Sequence, residues 1–332
     1  MKPMFPSKLK PGDGVRVIAP SHSMGIISST NKKLAIEALE NLGLHITFGL
    51  HVDELDMMLS SSIESRLTDL HEAFSDPNVK AILTVIGGSN SNQLLKYINY
   101  DLIKKCPKIF CGFSDITALG NAIFHKTGLV TYCGPQFSTF AMKKGFDYTL
   151  DFFKKVCFEN NQIDLNPSSM WSDDEWYIEQ DNRTFHKNEG YWVIHPGVAE
   201  GTIIGGNVST LLLLHGTSYM PSPENIILFL ESDNITEGHG VWEFDRALQS
   251  VIHQSYFTHV KAVVIGRFEN KFGMTDEKLR YILSTKAALK NIPIIANADF
   301  GHTTPIFTFP IGGTCHLIAE APGNVKLVIE RH

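Results

Sequence analysis

The hydrophobic positions in the first half of the chain alternate between short apolar runs and longer runs with helical spacing. Residues 14–19, 79–86 and 108–111 are apolar runs typical of buried strands. Residues 29–42 and 62–74 have helical spacing, and the first of these begins at a Ser/Thr/Asn start and ends at a glycine. Repeated strand and helix units of this length predict a mainly parallel sheet covered by helices on both faces.

Four further elements complete this half: a strand at 45–49, a helix at 91–98, a helix that follows Ser114 and runs through His125, and a strand at 130–133. Ligands of such sheets bind at the carboxyl ends of the strands. Two glycine turns fall at that edge, and they are Gly87-Gly88 and Gly112-Phe113-Ser114.

The pattern changes between 160 and 188, where the chain is polar and carries Trp171 and Trp176. A segment of this length without periodicity marks an interdomain connection or a binding loop. The rest of the chain has short β-type runs at 191–194, 199–204, 226–231 and 260–266, separated by helices at 208–214, 244–254 and 276–289. This pattern predicts a smaller mixed α/β second domain. We therefore divide the chain into 1–160, a linker and substrate loop at 161–190, and 191–332.

Composition supports a globular protein of this kind. The 332 residues exceed what one hydrophobic core usually serves, and 43% hydrophobic with 19% charged residues excludes a disordered chain. The net charge of −6 is spread along the chain, and no Lys/Arg cluster is interleaved with aromatic residues, so no nucleic-acid partner is expected.

The location and the metal content follow from what the sequence lacks. It has no signal-peptide core and no run of roughly 18 apolar residues, so no membrane association and a cytoplasmic location are expected. The five cysteines form no Cys-x-x-Cys pair. We therefore expect reduced thiols and no metal site.

Ser114 is the first candidate nucleophile because it lies where a strand stops and a helix begins. Its turn lacks the second glycine of the Gly-x-Ser-x-Gly pattern, and by itself it is better explained as a helix N-cap. A serine nucleophile needs a base that a third group orients. Among 14 histidines, His302 lies in a Gly/Pro-bounded turn after an apolar run, and Glu231 ends a strongly apolar strand. Spacing alone cannot join these three residues.

Acyl transfer also needs N–H donors for an oxyanion. The backbone N–H groups of Gly88 and Asp115 are the candidates. The alternative for Gly87-Gly88 is a tight turn or a phosphate cradle, but the glycine patterns of dinucleotide and P-loop sites are absent.

Six ordered motifs resemble the landmarks of the LD-carboxypeptidase family of serine peptidases. They cover 9–21, 86–92, 112–118, 204–207, 229–231 and 299–302. The resemblance implies Ser114 as nucleophile, Glu231 as the acid and His302 as the base. One departure is Ser232, where many members have a second acid. The resemblance also implies a flavodoxin-like N-terminal domain, a smaller swivelling β/α C-terminal domain and a homodimer.

Two branches of the family leave the substrate open. One removes a terminal D-amino acid from peptidoglycan peptides. The other resembles the microcin C self-immunity peptidase, which cuts the amide between an acyl amino acid and a modified nucleotide. The segment 171–192 resembles an insertion of the second branch, and Trp176, with Trp171 behind it, is the candidate to stack on a purine for ~1–3 kcal/mol. The alternative is that both rings only pack the loop onto the body.

The favoured prediction is therefore a peptidase for aminoacyl- or peptidyl-nucleotides that needs no metal or organic cofactor, and the alternative is a muropeptide LD-carboxypeptidase. Asn207 follows a Gly-Gly turn, and it either binds polar atoms of the substrate or caps a helix. A non-catalytic sugar- or nucleotide-binding module on the same type of sheet is the rival from another class.

Overall fold

The computed structural model describes residues 2–233, 239–320 and 323–332. Its strands are, in chain order, β1 (Gly14–Ile18), β2 (His45–Phe48), β3 (Val79–Thr84), β4 (Ile109–Gly112), β5 (Thr131–Cys133), β6 (Ile163–Asp164), β7 (Met170–Trp171), β8 (His186–Lys187), β9 (Trp192–His195), β10 (Gly197–Asn207), β11 (Ile226–Glu231), β12 (Val260–Gly266), β13 (Ile294–Ala298), β14 (Phe309–Ile311), β15 (Thr314–Glu320) and β16 (Asn324–Arg331). Its α-helices are α1 (Ser29–Glu40), α2 (Ile63–Ser75), α3 (Tyr100–Lys105), α4 (Thr117–Thr127), α5 (Asp147–Phe158), α6 (Val208–Leu212), α7 (Gly240–Ile252) and α8 (Asp276–Ser284).

The first sheet has the strand order β2-β1-β3-β4-β5-β14. Strands β1 to β5 run parallel, and β14 is added antiparallel to β5. The order 2-1-3-4-5 is that of flavodoxin-like sheets, in which ligands bind at the carboxyl edge of the strands. The α/β class and the mainly parallel sheet predicted from the apolar runs are therefore confirmed.

The second sheet has the order β6-β16-β15-β10-β11-β12-β13-β9. Its centre, β10 to β13, is parallel, and the flanking strands pair antiparallel. Every side chain of β11 is buried, because this strand lies inside the sheet with both faces covered. Its last residue, Glu231, is thus carried into the interior by an otherwise apolar strand.

Three predicted helices differ from the structure by four or more residues. The helix expected at 244–254 is α7, which begins earlier, at Gly240. The helix expected at 91–98 is a single 3-10 turn, Ser91–Leu94, at whose start the Ser91 N–H and hydroxyl donate to Asp115. The helix expected at 276–289 ends at Ser284, and a separate 3-10 turn at Ala287–Leu289 follows. Helices α3 and α5 were not predicted by the pattern.

Side chains of α4 connect the two sheets directly below the strand edge. Asn121 donates to the carbonyl oxygen of Gly205 at 2.8 Å and accepts the Gly205 N–H at 3.2 Å. Thr117 Oγ1 accepts the backbone N–H of Asn207 at 3.0 Å. Because α4 follows Ser114 and β10 neighbours β11, these bonds fix the Ser114 turn relative to the strand that carries Glu231.

The polar segment contacts both halves of the chain: Gln180 Nε2 donates to the Ala141 carbonyl oxygen at 3.0 Å, and Asp173 accepts the Asn270 N–H at 2.6 Å. It contains the β7–β8 pair, and Ser172 forms an isolated bridge with Thr304. Strand β6, inside the predicted linker, pairs with β16, and β14, inside the predicted last part, pairs with β5. The boundaries 1–160, 161–190 and 191–332 remain a prediction.

Candidate active site

Ser114 lies at the sharp turn between β4 and α4, and its backbone has a φ of +61°. A non-glycine residue in this left-handed region is strained, and such strain is characteristic of turns that present a nucleophile. Gly112 permits the turn, because a Cβ there would lie 2.3 Å from Thr84 Oγ1. The absent second glycine of the elbow pattern therefore does not prevent a strained turn.

His302 lies between Ser114 and Glu231. Its Nδ1 donates to Glu231 Oε2 at 2.8 Å, and its Nε2 is 3.0 Å from Ser114 Oγ, where the neutral ring accepts the hydroxyl proton. The ring of Phe113 packs edge-on against the imidazole at 5.6 Å between centroids. The structure thus brings together three residues that are distant in the sequence: Glu231 lies 117 positions after Ser114, and His302 lies 71 positions after Glu231.

Glu231 is almost fully buried, with 2% of its surface exposed. Two glycines make room for it, since a Cβ on Gly266 or Gly301 would lie 2.9 or 3.0 Å from the Glu231 Cβ. Gly301 also has a φ of +111°, which favours glycine. These contacts explain why a glycine directly precedes His302.

The charges around His302 favour its protonated form. Burial opposes that charge, but Glu231, through its charge and its hydrogen bond, and Asp233 raise the pKa of His302 to about 9. Asp233 Oδ2 lies 4.0 Å from His302 Nε2. Asp233 was not identified from the sequence, although it stands two residues after Glu231 at the same strand end.

The predicted oxyanion donors have free N–H groups. Among the described residues, neither the Gly88 N–H nor the Asp115 N–H has a hydrogen-bond acceptor. The two loops touch at this point, because a Cβ on Gly87 would lie 2.9 Å from the Ser114 Cβ and 3.5 Å from the Asp115 nitrogen. Free donors beside a nucleophile suit a developing oxyanion.

The side chain of Asp115 fixes these loops. It is buried, and its Oδ2 accepts from Ser21 Oγ at 2.6 Å, from the Asn90 N–H at 3.0 Å and from the Ser91 N–H at 2.8 Å. One carboxylate therefore joins the loop after β1, the loop after β3 and the turn after β4.

A cavity of about 260 Å³ opens above Ser114. Its wall includes residues from both sheets and from the polar segment: His22, Gly88, Ser114, Gln136, Trp176 and His302. Thr303 also lines it, and its buried Oγ1 has no hydrogen-bond partner among the described residues. His22, Gln136 and Thr303 were missed from the sequence. His22 follows β1 at the carboxyl edge, so the strand-end rule that selected Gly88 would also have found it.

Trp176 and Trp171 have different surroundings. Trp176 is half-buried, lines this cavity and also lines an adjoining one that contains Asp233, Glu269 and Lys271. Trp171 packs instead against His186, and the Arg267 guanidinium lies 5.1 Å from its ring centroid. Of the two rings, the structure places only Trp176 on the wall above Ser114.

Asn207 has its side chain engaged within the protein. Its Oδ1 accepts the Thr210 N–H at 3.0 Å as the N-cap of α6, and its Nδ2 donates to Asp233 Oδ1 at 3.0 Å. It is buried and is absent from the wall of the cavity. The helix-cap alternative is what the structure shows, and a substrate contact remains only a prediction.

The described part of the chain has neither a metal-binding cluster nor a membrane-spanning helix. No group of three or more His, Cys, Asp or Glu side chains there is arranged to hold a metal ion. No helix in the same residues has the length and apolarity to cross a bilayer.

Both halves of the chain match models of known protein domains. Residues 15–134 match the model of the LD-carboxypeptidase N-terminal domain, and residues 200–317 match that of the LD-carboxypeptidase C-terminal domain. The site described above uses residues from both matched regions.

Two relatives are similar over nearly their full lengths. YocD of Bacillus subtilis, provisionally named a carboxypeptidase, is 53% identical over 99% of this chain and 100% of its own. A protein of the same organism provisionally named a murein peptide carboxypeptidase is 32% identical over 92% of this chain and 89% of its own.

Solved structures share the whole fold. An MccF-like protein from Bacillus anthracis superposes with a TM-score of 0.97 at 55% identity, covering 99% of this chain and 100% of its own. The microcin C7 self-immunity protein MccF, solved with aspartyl sulfamoyl adenosine, superposes with a TM-score of 0.87 at 27% identity and covers 99% of each chain.

Proposed function

The chain belongs to the LD-carboxypeptidase family of serine peptidases, and on that basis we propose that it hydrolyses an amide bond with Ser114 as the nucleophile. His302 is the general base, and Glu231 holds its ring. The observation that carries this proposal is the chain of two hydrogen bonds, 3.0 Å from Ser114 Oγ to His302 Nε2 and 2.8 Å from His302 Nδ1 to Glu231 Oε2.

The proposed reaction has two steps. Neutral His302 takes the hydroxyl proton as Ser114 Oγ attacks the amide carbonyl carbon, and the N–H groups of Gly88 and Asp115 bind the oxyanion. The protonated imidazole then gives its proton to the leaving nitrogen, which departs as the C–N bond breaks and an acyl-serine remains. Water, deprotonated by the same histidine, attacks this ester, releases the acid and restores the serine.

We further propose an acyl-nucleotide substrate, with the amide between an aminoacyl or peptidyl group and a modified nucleotide as the bond that is cut. Trp176 on the cavity wall has an aromatic ring on which a purine can stack, and this supports the proposal. The complex of the related MccF with aspartyl sulfamoyl adenosine supports the same ligand class. The outcome is detoxification of a microcin C-like compound.

Muropeptide hydrolysis is the second candidate, and the 32% identity to the murein peptide carboxypeptidase of Bacillus subtilis favours it. The two candidates are separated by kcat/KM for an aspartyl-adenylate amide and for an L,D-tetrapeptide, measured on one preparation. A preference for the tetrapeptide overturns the nucleotide proposal but leaves Ser114 as nucleophile.

The role of Ser114 is tested by covalent labelling. An activated phosphonate should label Ser114 in the native protein and fail to label Ser114→Ala or His302→Ala. Circular dichroism of both variants should match the native protein. Full turnover by Ser114→Ala would refute the mechanism, and absence of labelling and turnover in the native protein would favour a non-catalytic binding module.

A homodimer is also proposed, and the family resemblance is what supports it. The cytoplasmic location expected from the sequence pattern is likewise a proposal. Light scattering on the eluting peak of a size-exclusion column measures the mass of the particle directly. A mass near twice the 37.0 kDa of the chain is expected, and a mass near that of one chain would contradict the dimer.

A further inference from the structure

His22 lies in the catalytic cavity beside the loop of the proposed oxyanion site. Its backbone N–H donates to the Gly87 carbonyl oxygen at 3.0 Å. Its ring packs directly on Gly88, because a Cβ at that glycine would lie 2.6 Å from His22 Cδ2. The φ of Gly88 is +146°, so the backbone bends close to the imidazole where only glycine fits. The ring is therefore held next to the reacting centre.

The imidazole of His22 is not used by the protein itself. Among the described residues, neither ring nitrogen has a hydrogen-bond partner, in contrast to His302. Burial lowers the pKa of His22, against the opposing charges of Asp115 and Asp56. At neutral pH the ring is thus uncharged and offers one N–H donor and one acceptor nitrogen to the cavity.

Apart from its histidines, the described part of the cavity wall has no side chain that can carry a positive charge. Within the part of the chain that the structure describes, its lining contains no lysine and no arginine, and the sequence of residues 234–238 contains neither. His302 is engaged by Ser114 and Glu231. In the adjoining cavity, Lys271 is paired with Glu269 at 3.2 Å.

The substrates of the proposed reaction nevertheless carry an anion close to the bond that is cut. In a peptide with a free C-terminus, the carboxylate is attached to the carbon that carries the scissile nitrogen. In an acyl phosphoramidate of a nucleotide, the phosphoryl group is attached to that nitrogen itself. An anionic oxygen therefore lies within two or three bonds of the leaving nitrogen in both classes.

We propose that His22 is the residue that binds this anion by donating its ring N–H to a carboxylate or phosphoryl oxygen of the leaving group. The assignment rests on the proposed function, since it takes the bound amide to lie above Ser114. His22 is a specificity residue in this arrangement. It selects substrates with a charged leaving group, and it takes no part in the proton transfers of His302.

Binding to uncleaved substrate tests this directly. In a Ser114→Ala background, calorimetry compares a peptide ending in L-Lys-D-Ala as the free acid with the same peptide as its carboxamide. A parallel pair is the aspartyl phosphoramidate of adenosine and its phosphoryl methyl ester, which lacks the charge. The background should bind one charged ligand about 10- to 100-fold more tightly than its neutral partner, as expected for a hydrogen bond to a charged group.

Adding His22→Ala should abolish that preference by weakening only the charged ligand, and His22→Gln, which keeps an N–H donor, should restore part of it. The exposed His253→Ala is the matched control and should change neither affinity. The pair that shows the preference identifies the anion as carboxylate or phosphoryl.

An unchanged preference in His22→Ala overturns the proposal, as does equal loss for charged and neutral ligands or the absence of any preference in the background. Failure of the proposed function gives a different result. In that case the native protein hydrolyses neither substrate, while the binding comparison still decides the role of His22.

Discussion

The carboxylate of Asp115 accepts the backbone N–H of Ser91 at 2.8 Å, and this bond ties the turn of the candidate nucleophile to the loop of Gly88. Asp115→Ala removes the Oδ2 atom that accepts the hydrogen bonds of Ser21, Asn90 and Ser91. The two oxyanion N–H groups should then lose their fixed spacing. We expect kcat to fall by about 10- to 100-fold, less than the ~100- to 1,000-fold that follows removal of an oxyanion donor, with KM changed by less than about three-fold.

Steady-state kinetics of Asp115→Ala on the better substrate checks this, with the exposed Asp101→Ala as control. A large rise in KM at unchanged kcat would show that Asp115 serves substrate binding instead.

The pH dependence of kcat/KM follows from the charges around His302. Only the neutral ring can accept the Ser114 proton, so activity should rise with pH as the ring loses its proton. Because Glu231 and Asp233 raise the pKa of His302 to about 9, the acid limb should lie well above the ordinary value of 6.5. A pH profile of kcat/KM between pH 5 and pH 10 measures it, using a buffer series of constant ionic strength.

Asp233→Asn should move that acid limb to lower pH, because it removes a negative charge 4.0 Å from His302 Nε2. The exposed Asp151→Asn should leave it in place. A limb near 6.5 in the native protein would contradict the raised pKa of His302. A limb that does not move in Asp233→Asn would contradict the electrostatic coupling between Asp233 and the titrating group.

Trp176→Ala should distinguish the two substrate classes within one protein. Loss of a base-stacking surface worth ~1–3 kcal/mol should raise KM for the aminoacyl-nucleotide by about 5- to 150-fold. The L,D-tetrapeptide has no purine, and its KM should change far less. Trp171→Ala is the matched control, since that ring contacts His186 and Arg267 outside the cavity. Equal effects of Trp176→Ala on both substrates would show that its role is loop packing.

Removal of one partner from the buried ion pair of Arg267 and Asp299 should destabilise the fold strongly. Arg267 Nη1 donates to Asp299 Oδ1 at 2.5 Å, and both side chains are nearly inaccessible to solvent. Asp299→Asn leaves the guanidinium unpaired in the interior, for which a loss of about 3–5 kcal/mol is expected. The midpoint of urea unfolding measures it. Arg280→Gln, which breaks an exposed pair with Asp276, should cost less than about 1 kcal/mol.

The fold was predictable where burial dictates residue type. Strands β11 and β12 have the same bounds in the sequence pattern and in the structure, because strands covered on both faces are continuously apolar. Residues 91–98 were misassigned as a helix because their apolar spacing is helical. The structure has only a 3-10 turn at Ser91–Leu94 there, and no residue in the local pattern marks its end.

The residues of the candidate site were predictable from the sequence, but their arrangement was not. Strand-end position selected Ser114, Glu231 and His302 one by one, and the family resemblance joined them. Their mutual distances depend on how two sheets pack, which spacing along the chain does not determine. The structural use of Asn207 as a helix cap was one of two alternatives that the sequence left open. His22 was missed although it follows β1 at the same edge of the sheet, because a single histidine after a strand is common.

The division of the candidate triad between two sheets has a consequence for synthesis of the protein. Ser114 leaves the ribosome long before Glu231 and His302, and domains generally fold as they emerge. The first sheet, even when formed, lacks β14, which comes from beyond His302. A nascent or truncated chain therefore presents a serine hydroxyl without a base. Hydrolysis becomes possible only after the strands near the C-terminus have packed against those of the first sheet. Incomplete chains of this peptidase should therefore have no hydrolytic activity in the cell.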